Sequence, residues 1–254
     1  MGCMESFERR GAGRPRLTSL SKILAVLAPI LAAGPSSAIE GGALAGRNPL
    51  SRATVGVGTL VAGSGKPGVT RCSGVLIAPD LVLTAAHCVQ GNPLAAVVVL
   101  YDGAKPVRPA IPVASVSRRD ASLAGLPAEY ADPRLLRFSL DTAVLRLSTP
   151  VRGREPIRIG RGQPPAGLRV AGTGLSDQGV GYLKTTRLDP LRVTETGLIV
   201  ATTRGSELCK GDSGGPVVAD GPGGPVLWGV ASAVLTNNPP CGRIVVVAPA
   251  APNL

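Results

Sequence analysis

From residue 39 onward the chain alternates short apolar runs with clusters of turn residues. The runs are GVLIA (74–78), LVLTAA (81–86), AAVVVLY (95–101), TAVLRL (142–147), LRVAG (168–172), GLIVAT (197–202), PVVA (216–219), VLWGVASAVL (226–235) and RIVVVA (243–248). Between them stand APD, QGNP, YDG, GRGQPPAG and DGPGGP. In such clusters glycine supplies positive φ, proline fixes φ, and Asp or Asn bonds its own backbone. No stretch sustains a 3.6-residue apolar period, so helices are not expected. The pattern predicts an all-β chain of sandwich or barrel type, folded as two packed halves. The stretch 102–134, rich in Pro, Arg and Ser, breaks the pattern and is predicted to be loop.

The first 38 residues read differently. Arg9, Arg10, Arg14, Arg16 and Lys22 precede the apolar run ILAVLAPILAA (23–33), and GPSSA follows. A basic segment, a short apolar core and small residues at Ser36 and Ala38 are the arrangement of an export signal cut after Ala38. Eleven residues interrupted by Pro29 are too few to span a bilayer. Residues 1–38 are therefore read as a signal peptide and 39–254 as the folded domain. The expected destination is secreted or periplasmic, with no stable membrane anchor after processing.

Composition narrows the partners. Aromatic residues make up only 2% of the chain, so the core must be built from Val, Leu, Ile and Ala. The signal removes five basic and two acidic residues, leaving 22 Lys and Arg against 14 Asp and Glu, a net charge of +8. These basic residues are scattered, and aromatics are too few to stack bases, so nucleic acid is not an expected partner. GSGK (63–66) is no phosphate loop, because Leu60 stands where its first glycine should be and Pro67 where Ser or Thr should be. The signal also takes Cys3, leaving Cys72, Cys88, Cys209 and Cys241. Four cysteines in an exported chain imply two disulfides, and arithmetic leaves three connectivities open.

The candidate chemistry begins at CKGDSGGP (209–216), where Ser213 stands between glycines and beside Asp212. Such an octamer is most simply a turn. It becomes a nucleophile's mount only if a base and an orienting acid exist elsewhere. The single histidine, His87, ends an apolar run and precedes Cys88, a rigid position for a base. Imidazole is the side chain that exchanges protons near neutral pH. Asp141 opens DTAVLRLSTPV, where an unpartnered carboxylate entering an apolar strand would be costly.

Taken in order, CSGVLIAPDLVLTAAHC (72–88), DTAVLRLSTPV (141–151) and CKGDSGGP (209–216) resemble the three signature blocks of the trypsin/chymotrypsin-like serine peptidases. IEGG (39–42) is similar to that family's mature N-terminus, and AGTGLSD (171–177) to its GWG segment. The resemblance covers essentially all of 39–248. It implies two antiparallel six-stranded β-barrels with the active site in the cleft between them, and a serine endopeptidase working through an acyl-enzyme. It assigns His87 as base, Asp141 as its orienting acid and Ser213 as nucleophile. The N–H groups of Gly211 and Ser213 become the oxyanion hole. It implies the pairs Cys72–Cys88 and Cys209–Cys241, and no cofactor or metal. Partners would be protein or peptide substrates and protein inhibitors, and the chain would be a monomer. The alternative is a catalytically silent homologue that serves as a binding or scaffold protein.

Specificity and activation follow from the same resemblance. Glu207, six residues before Ser213, occupies the position at the floor of the P1 pocket, which implies Lys or Arg at P1. Ser232, Ala233 and Val234 would form one wall. Val234 stands where glycine is usual and would narrow the entrance, so small apolar P1 is the rival. Cutting before Ile39 would release an ammonium that pairs with Asp212, and the uncut chain would be poorly folded around the pocket and inactive. Thr173, where the family has tryptophan, and Glu40, beside Ile39, are departures from the family pattern.

Overall fold

A computed structural model of the chain describes residues 38–61, 68–90, 93–118, 137–176, 179–235 and 241–251. Residues 1–37 of the proposed signal segment, the GSGK stretch and the 119–134 part of the expected loop lie outside the described residues.

Six strands form the first barrel: β2 (Thr54–Val61), β3 (Gly68–Ala78), β4 (Leu81–Thr84), β5 (Ala95–Asp102), β6 (Lys105–Arg118) and β7 (Ala143–Leu147). They pair antiparallel in the order β2-β3-β4-β7-β6-β5 and close on β2. Strand β7 shows why the sequence suits this: Ala143, Leu145 and Leu147 point inward, and Arg146 points to solvent. Strand β6 corrects the expectation of a loop at 102–134, since Lys105–Arg118 pairs with both β5 and β7. Its prolines are tolerated because β6 is largely exposed and its ladder is interrupted. The register shifts between Val98 and Leu100, leaving 108–110 out of the pairing.

The second barrel uses β9 (Leu168–Gly172), β12 (Lys184–Val193), β13 (Ile199–Thr203), β14 (Pro216–Gly221), β15 (Gly224–Leu235) and β16 (Ile244–Pro249). The antiparallel order β12-β13-β16-β15-β14-β9 closes through β9 and β12. The short β1 (Ala43–Leu44) adds to β12, β8 (Arg158–Ile159) adds parallel to β15, and β10 (Leu175–Ser176) pairs with β11 (Gly179–Val180). The expected all-β fold of two six-stranded antiparallel barrels is therefore the one observed.

One helical turn, α1 (Pro49–Ala53), precedes β2. Asn48 caps it by accepting from the Ser51 amide at 2.9 Å, the Ser51 hydroxyl accepts from the Asn48 amide at 3.1 Å, and Pro49 stands at its first position.

The core is aliphatic. Val55, Val75, Leu76, Val82, Leu145, Val170, Val217, Val245 and Val247 are fully buried, each stabilising by ~1.5–3 kcal/mol. The first barrel's core runs on without a break into Ala171, Val218, Leu227 and Val230 of the second. That shared seam fixes the two barrels against each other along the line where the candidate chemistry gathers.

Candidate active site

Strand β4 ends at Thr84, and a 3-10 turn over Ala86–Val89 carries His87. The Cys72–Cys88 disulfide ties this turn to β3. Asp141, just ahead of β7, holds the histidine at two points. The His87 amide donates to Oδ1 at 2.9 Å, and ring Nδ1 lies 2.8 Å from Oδ2. The Ser232 hydroxyl donates to the same Oδ2 at 2.5 Å. The carboxylate side chain is 12% exposed and the ring 35%, so the acid is screened while the base reaches solvent. Three donors offset the cost of placing a carboxylate there.

Ser213 lies in the turn before β14. The Asp212 amide donates to the Cys209 carbonyl at 3.1 Å, and the Gly215 amide to the Asp212 carbonyl at 3.0 Å. This turn is pressed against the histidine-bearing barrel. The Ser73 amide donates to the Ser213 carbonyl at 2.7 Å, and the Cys88 sulfur is 3.8 Å from the same oxygen. Two glycines permit the approach. Gly214 has φ +81°, and a Cβ there would stand 2.2 Å from both the Ser73 carbonyl oxygen and Thr84 Oγ1. Gly211 has φ +94°, and its Cβ would stand 2.4 Å from the Gly174 carbonyl carbon. The Ser73 hydroxyl donates to the Gly211 carbonyl at 2.8 Å. The Gly211 and Ser213 amides donate to no acceptor among the described residues.

Asp212 is fully buried. Its Oδ2 accepts from the Ile39 amide at 3.0 Å and the Cys209 amide at 2.8 Å, and its Oδ1 from the Gly174 amide at 3.0 Å. Burial pushes its carboxyl from the usual 3.8 up to about 7, against the pull of these amides and of Lys184. In the full-length chain the Ile39 nitrogen is a neutral peptide amide. It already reaches Asp212, and Ala38 is buried against Gly174. Glu40 does not compete for the carboxylate's partners: its side chain is exposed, and only its backbone bonds Glu207, at 2.8 and 2.9 Å.

Two cavities meet at Ser232. One, about 100 Å³, is lined by Leu208, Ala231, Ala233 and Val234 together with Lys210 and Ser213. The other, about 460 Å³, contains His87, Asp141, Arg137 and Phe138. Glu207 departs from its expected place. It does not line the smaller cavity; its side chain is 38% exposed and lies 3.3 Å from Arg243 Nε. The chain enters Cys209 with Leu208 turned inward and Glu207 turned outward, the alternation of an extended segment. The Cys209–Cys241 disulfide braces the segment from the far side.

Comparison with known proteins settles the family. The family model described as Trypsin matches residues 52–252. The chain belongs to the trypsin family. Serine protease 56 of Homo sapiens is 32% identical over 270 aligned residues, covering 89% of this trypsin-family chain and 41% of that protein. Trypsin iota of Drosophila melanogaster is 27% identical over 62% of this chain and 68% of its own length. The chain thus spans less than half the length of its human relative. Among solved structures, HL collagenase matches with a TM-score of 0.58 at 20% identity, over 82% of this chain and 93% of its own. A scabies mite inactivated protease paralogue matches with a TM-score of 0.54 at 18% identity, over 82% and 91%. Those two likenesses establish the fold, and one of the two proteins is an inactivated protease paralogue, so fold alone does not decide catalysis.

Three features escaped the sequence reading. Ser232, expected only as a wall, also bonds Asp141. Ser73 and Thr173 bridge the barrels, with the Thr173 amide donating to Ser73 Oγ at 2.9 Å and the two hydroxyls 3.1 Å apart. A threonine thus fills the tryptophan position with a polar contact. Arg137 and Phe138 stand in the larger cavity, and neither belongs to a motif that would have marked them.

Proposed function

We propose that this chain is an exported serine endopeptidase that cleaves peptide bonds through an acyl-enzyme. The observation that carries the reading is the two-point grip of Asp141 on His87, on a turn pressed directly against the Ser213 loop. With Nδ1–H held by Asp141, the other ring nitrogen is left as the proton acceptor. His87 takes the Ser213 hydroxyl proton as Oγ bonds to the scissile carbonyl carbon. The resulting oxyanion is met by the Gly211 and Ser213 amides, which have no other acceptor among the described residues. His87 then gives its proton to the leaving amine as the C–N bond breaks, and water repeats the sequence to free the acid. Asp141 orients the ring and stabilises its charged form.

Two features favour small apolar side chains at P1 over Lys or Arg. The cavity at Ser213 is small and lined by Leu208, Ala231, Ala233 and Val234, and the cationic Lys210 also lines it. The Glu207 carboxylate is turned to Arg243 instead. Export would remove residues 1–38, and the freed Ile39 ammonium would exchange a hydrogen bond to Asp212 for an ion pair. Two disulfides fit an exported chain. Among the described residues no helix is long and apolar enough to cross a membrane.

The test is turnover of Ala, Val, Lys and Arg esters by the purified chain beginning at Ile39, with organophosphonate labelling of Ser213. Ser213→Ala should lower kcat by about 10⁴–10⁶ while leaving the thermal unfolding midpoint within a few degrees. Absence of both labelling and turnover in the parent would leave the silent, binding homologue as the better reading. A preference for Lys or Arg esters would overturn the P1 assignment alone.

A further inference from the structure

The larger cavity, about 460 Å³, is continuous with the candidate catalytic pair, yet the steps above use only His87 and Asp141 from it. Its remaining walls include Ala86, Gln90, Phe138, Leu140 and the exposed Arg137. The Arg137 guanidinium lies 4.7 Å from the centroid of the Phe138 ring. It makes no ion pair among the described residues. Among the described residues the one carboxylate lining the cavity, Asp141, is committed to His87 and Ser232. Stacking on a ring occupies a guanidinium's face and leaves its in-plane N–H fork free, the geometry that takes a carboxylate at two points. The mount is braced: the Ser139 and Thr196 hydroxyls are 2.7 Å apart, and the Asp141 amide donates to the Phe138 carbonyl at 3.3 Å.

The two cavities share the wall made by Ser232, and Ala233 and Val234 continue that wall into the smaller one. Beyond Ala231, β15 pairs only with β16. Its other edge is open among the described residues, and an extended peptide can add there as a strand. A chain lying on that edge with one side chain in the smaller cavity brings a neighbouring side chain to the larger one.

We propose, on the reading of the site as a peptidase, that Arg137 makes the larger cavity a subsite for an acidic side chain on the acyl side of the cleaved bond. The preferred substrate pairs a small apolar residue at the cleaved position with Glu or Asp within the three residues before it. Phe138 is a positioning residue whose ring face holds the guanidinium.

The experiment uses peptide amides with a fluorogenic leaving group, Ala at the cleaved position, and Glu, Ser or Lys at each of the three preceding positions. Each kcat/KM is divided by that of a single-residue ester, which reports on the catalytic groups without reaching the cavity. At one position Glu should exceed Lys by about tenfold at low salt, and the ratio should shrink above ~0.5 M salt. Arg137→Glu should invert the ratio at that position, and Arg137→Lys should keep its sign. A flat profile in the parent, or an unchanged profile in Arg137→Glu, overturns the proposal while leaving the peptidase reading standing. If no substrate is turned over and no phosphonate reacts, the peptidase reading falls. Binding of the same peptides then decides the subsite: tighter binding of the Glu peptide, lost in Arg137→Glu, supports it, and equal binding overturns it.

Discussion

The full-length chain should lose stability as pH rises through the range in which Asp212 ionises. The carboxyl is fully buried and titrates at about 7, against 3.8 ordinarily, because burial penalises the charged form more than three amides relieve it. Between these two values the folded state binds a proton that the unfolded state has released. The slope of unfolding free energy against pH is therefore negative there. Stability from this group is fully present below about 3.8, falls through the interval, and levels off above about 7. At ~1.36 kcal/mol for each factor of ten, the interval amounts to ~4 kcal/mol as an upper bound. A chain beginning at Ile39 behaves differently. Its ammonium takes the place of an amide 3.0 Å from Oδ2, holds the carboxylate ionised, and removes most of the penalty.

The assay is urea unfolding of two chains with disulfides intact, one begun at Pro35 and one at Ile39, followed by the fluorescence of the single tryptophan, Trp228. Each is measured at about pH 4.5, 6 and 7.5, and each is paired with its Asp212→Asn variant, which lacks the titration. Relative to its variant, the Pro35 chain should weaken by roughly 2–4 kcal/mol from about pH 4.5 to 7.5. The Ile39 chain should hold steady or strengthen over the same range. A Pro35 chain that keeps pace with its Asn variant across the range would refute the reasoning, since a buried carboxyl without a counter-charge has to show this slope.

Two further substitutions probe how the site is held. Ser232→Ala removes one of three donors to the Asp141 carboxylate, and kcat/KM should fall about tenfold with KM little changed; an unaltered kcat/KM would mean that Asp141 needs only His87. Gly214→Ala places a methyl group 2.2 Å from the Ser73 carbonyl oxygen at φ +81°, so thermal or urea unfolding should show a loss of roughly 3 kcal/mol or more, and a variant as stable as its parent would show that the Ser213 turn can back away from the first barrel.

Legibility in the sequence followed burial. Strands β9 and β16 could be bounded almost to the residue because LRVAG and RIVVVA lie largely inside the second barrel. Strands β2, β6 and β12 could not. In β2, Gly56 and Gly58 interrupt the apolar run. In β6, Pro106, Pro109 and Pro112 look like loop, and the strand survives because it is largely exposed and its ladder steps past residues 108–110. In β12, Lys184, Arg187, Asp189 and Arg192 mask Leu188, which is fully buried. Helix α1 is five residues long, below any period that a sequence can display.

The candidate site divides along the same line. His87, Asp141, Ser213 and the glycines around the serine are marked in the sequence because each is confined by covalent or backbone constraints: a disulfide at the next residue, a strand start, a positive φ against a neighbouring carbonyl. Such constraints act through residue type and spacing, which is what a sequence records. The contents of the two cavities depend instead on which way a side chain leaves the backbone. Glu207 has the expected register six residues before Ser213, yet it follows the extended alternation outward to Arg243 while Leu208 turns in. Arg137 is one of many arginines in the sequence and becomes distinctive only when Phe138 lies beneath it and Asp141 is already engaged. The candidate triad is therefore legible through backbone and covalent constraints, whereas the contents of the two cavities depend on side-chain directions that residue type and spacing do not record.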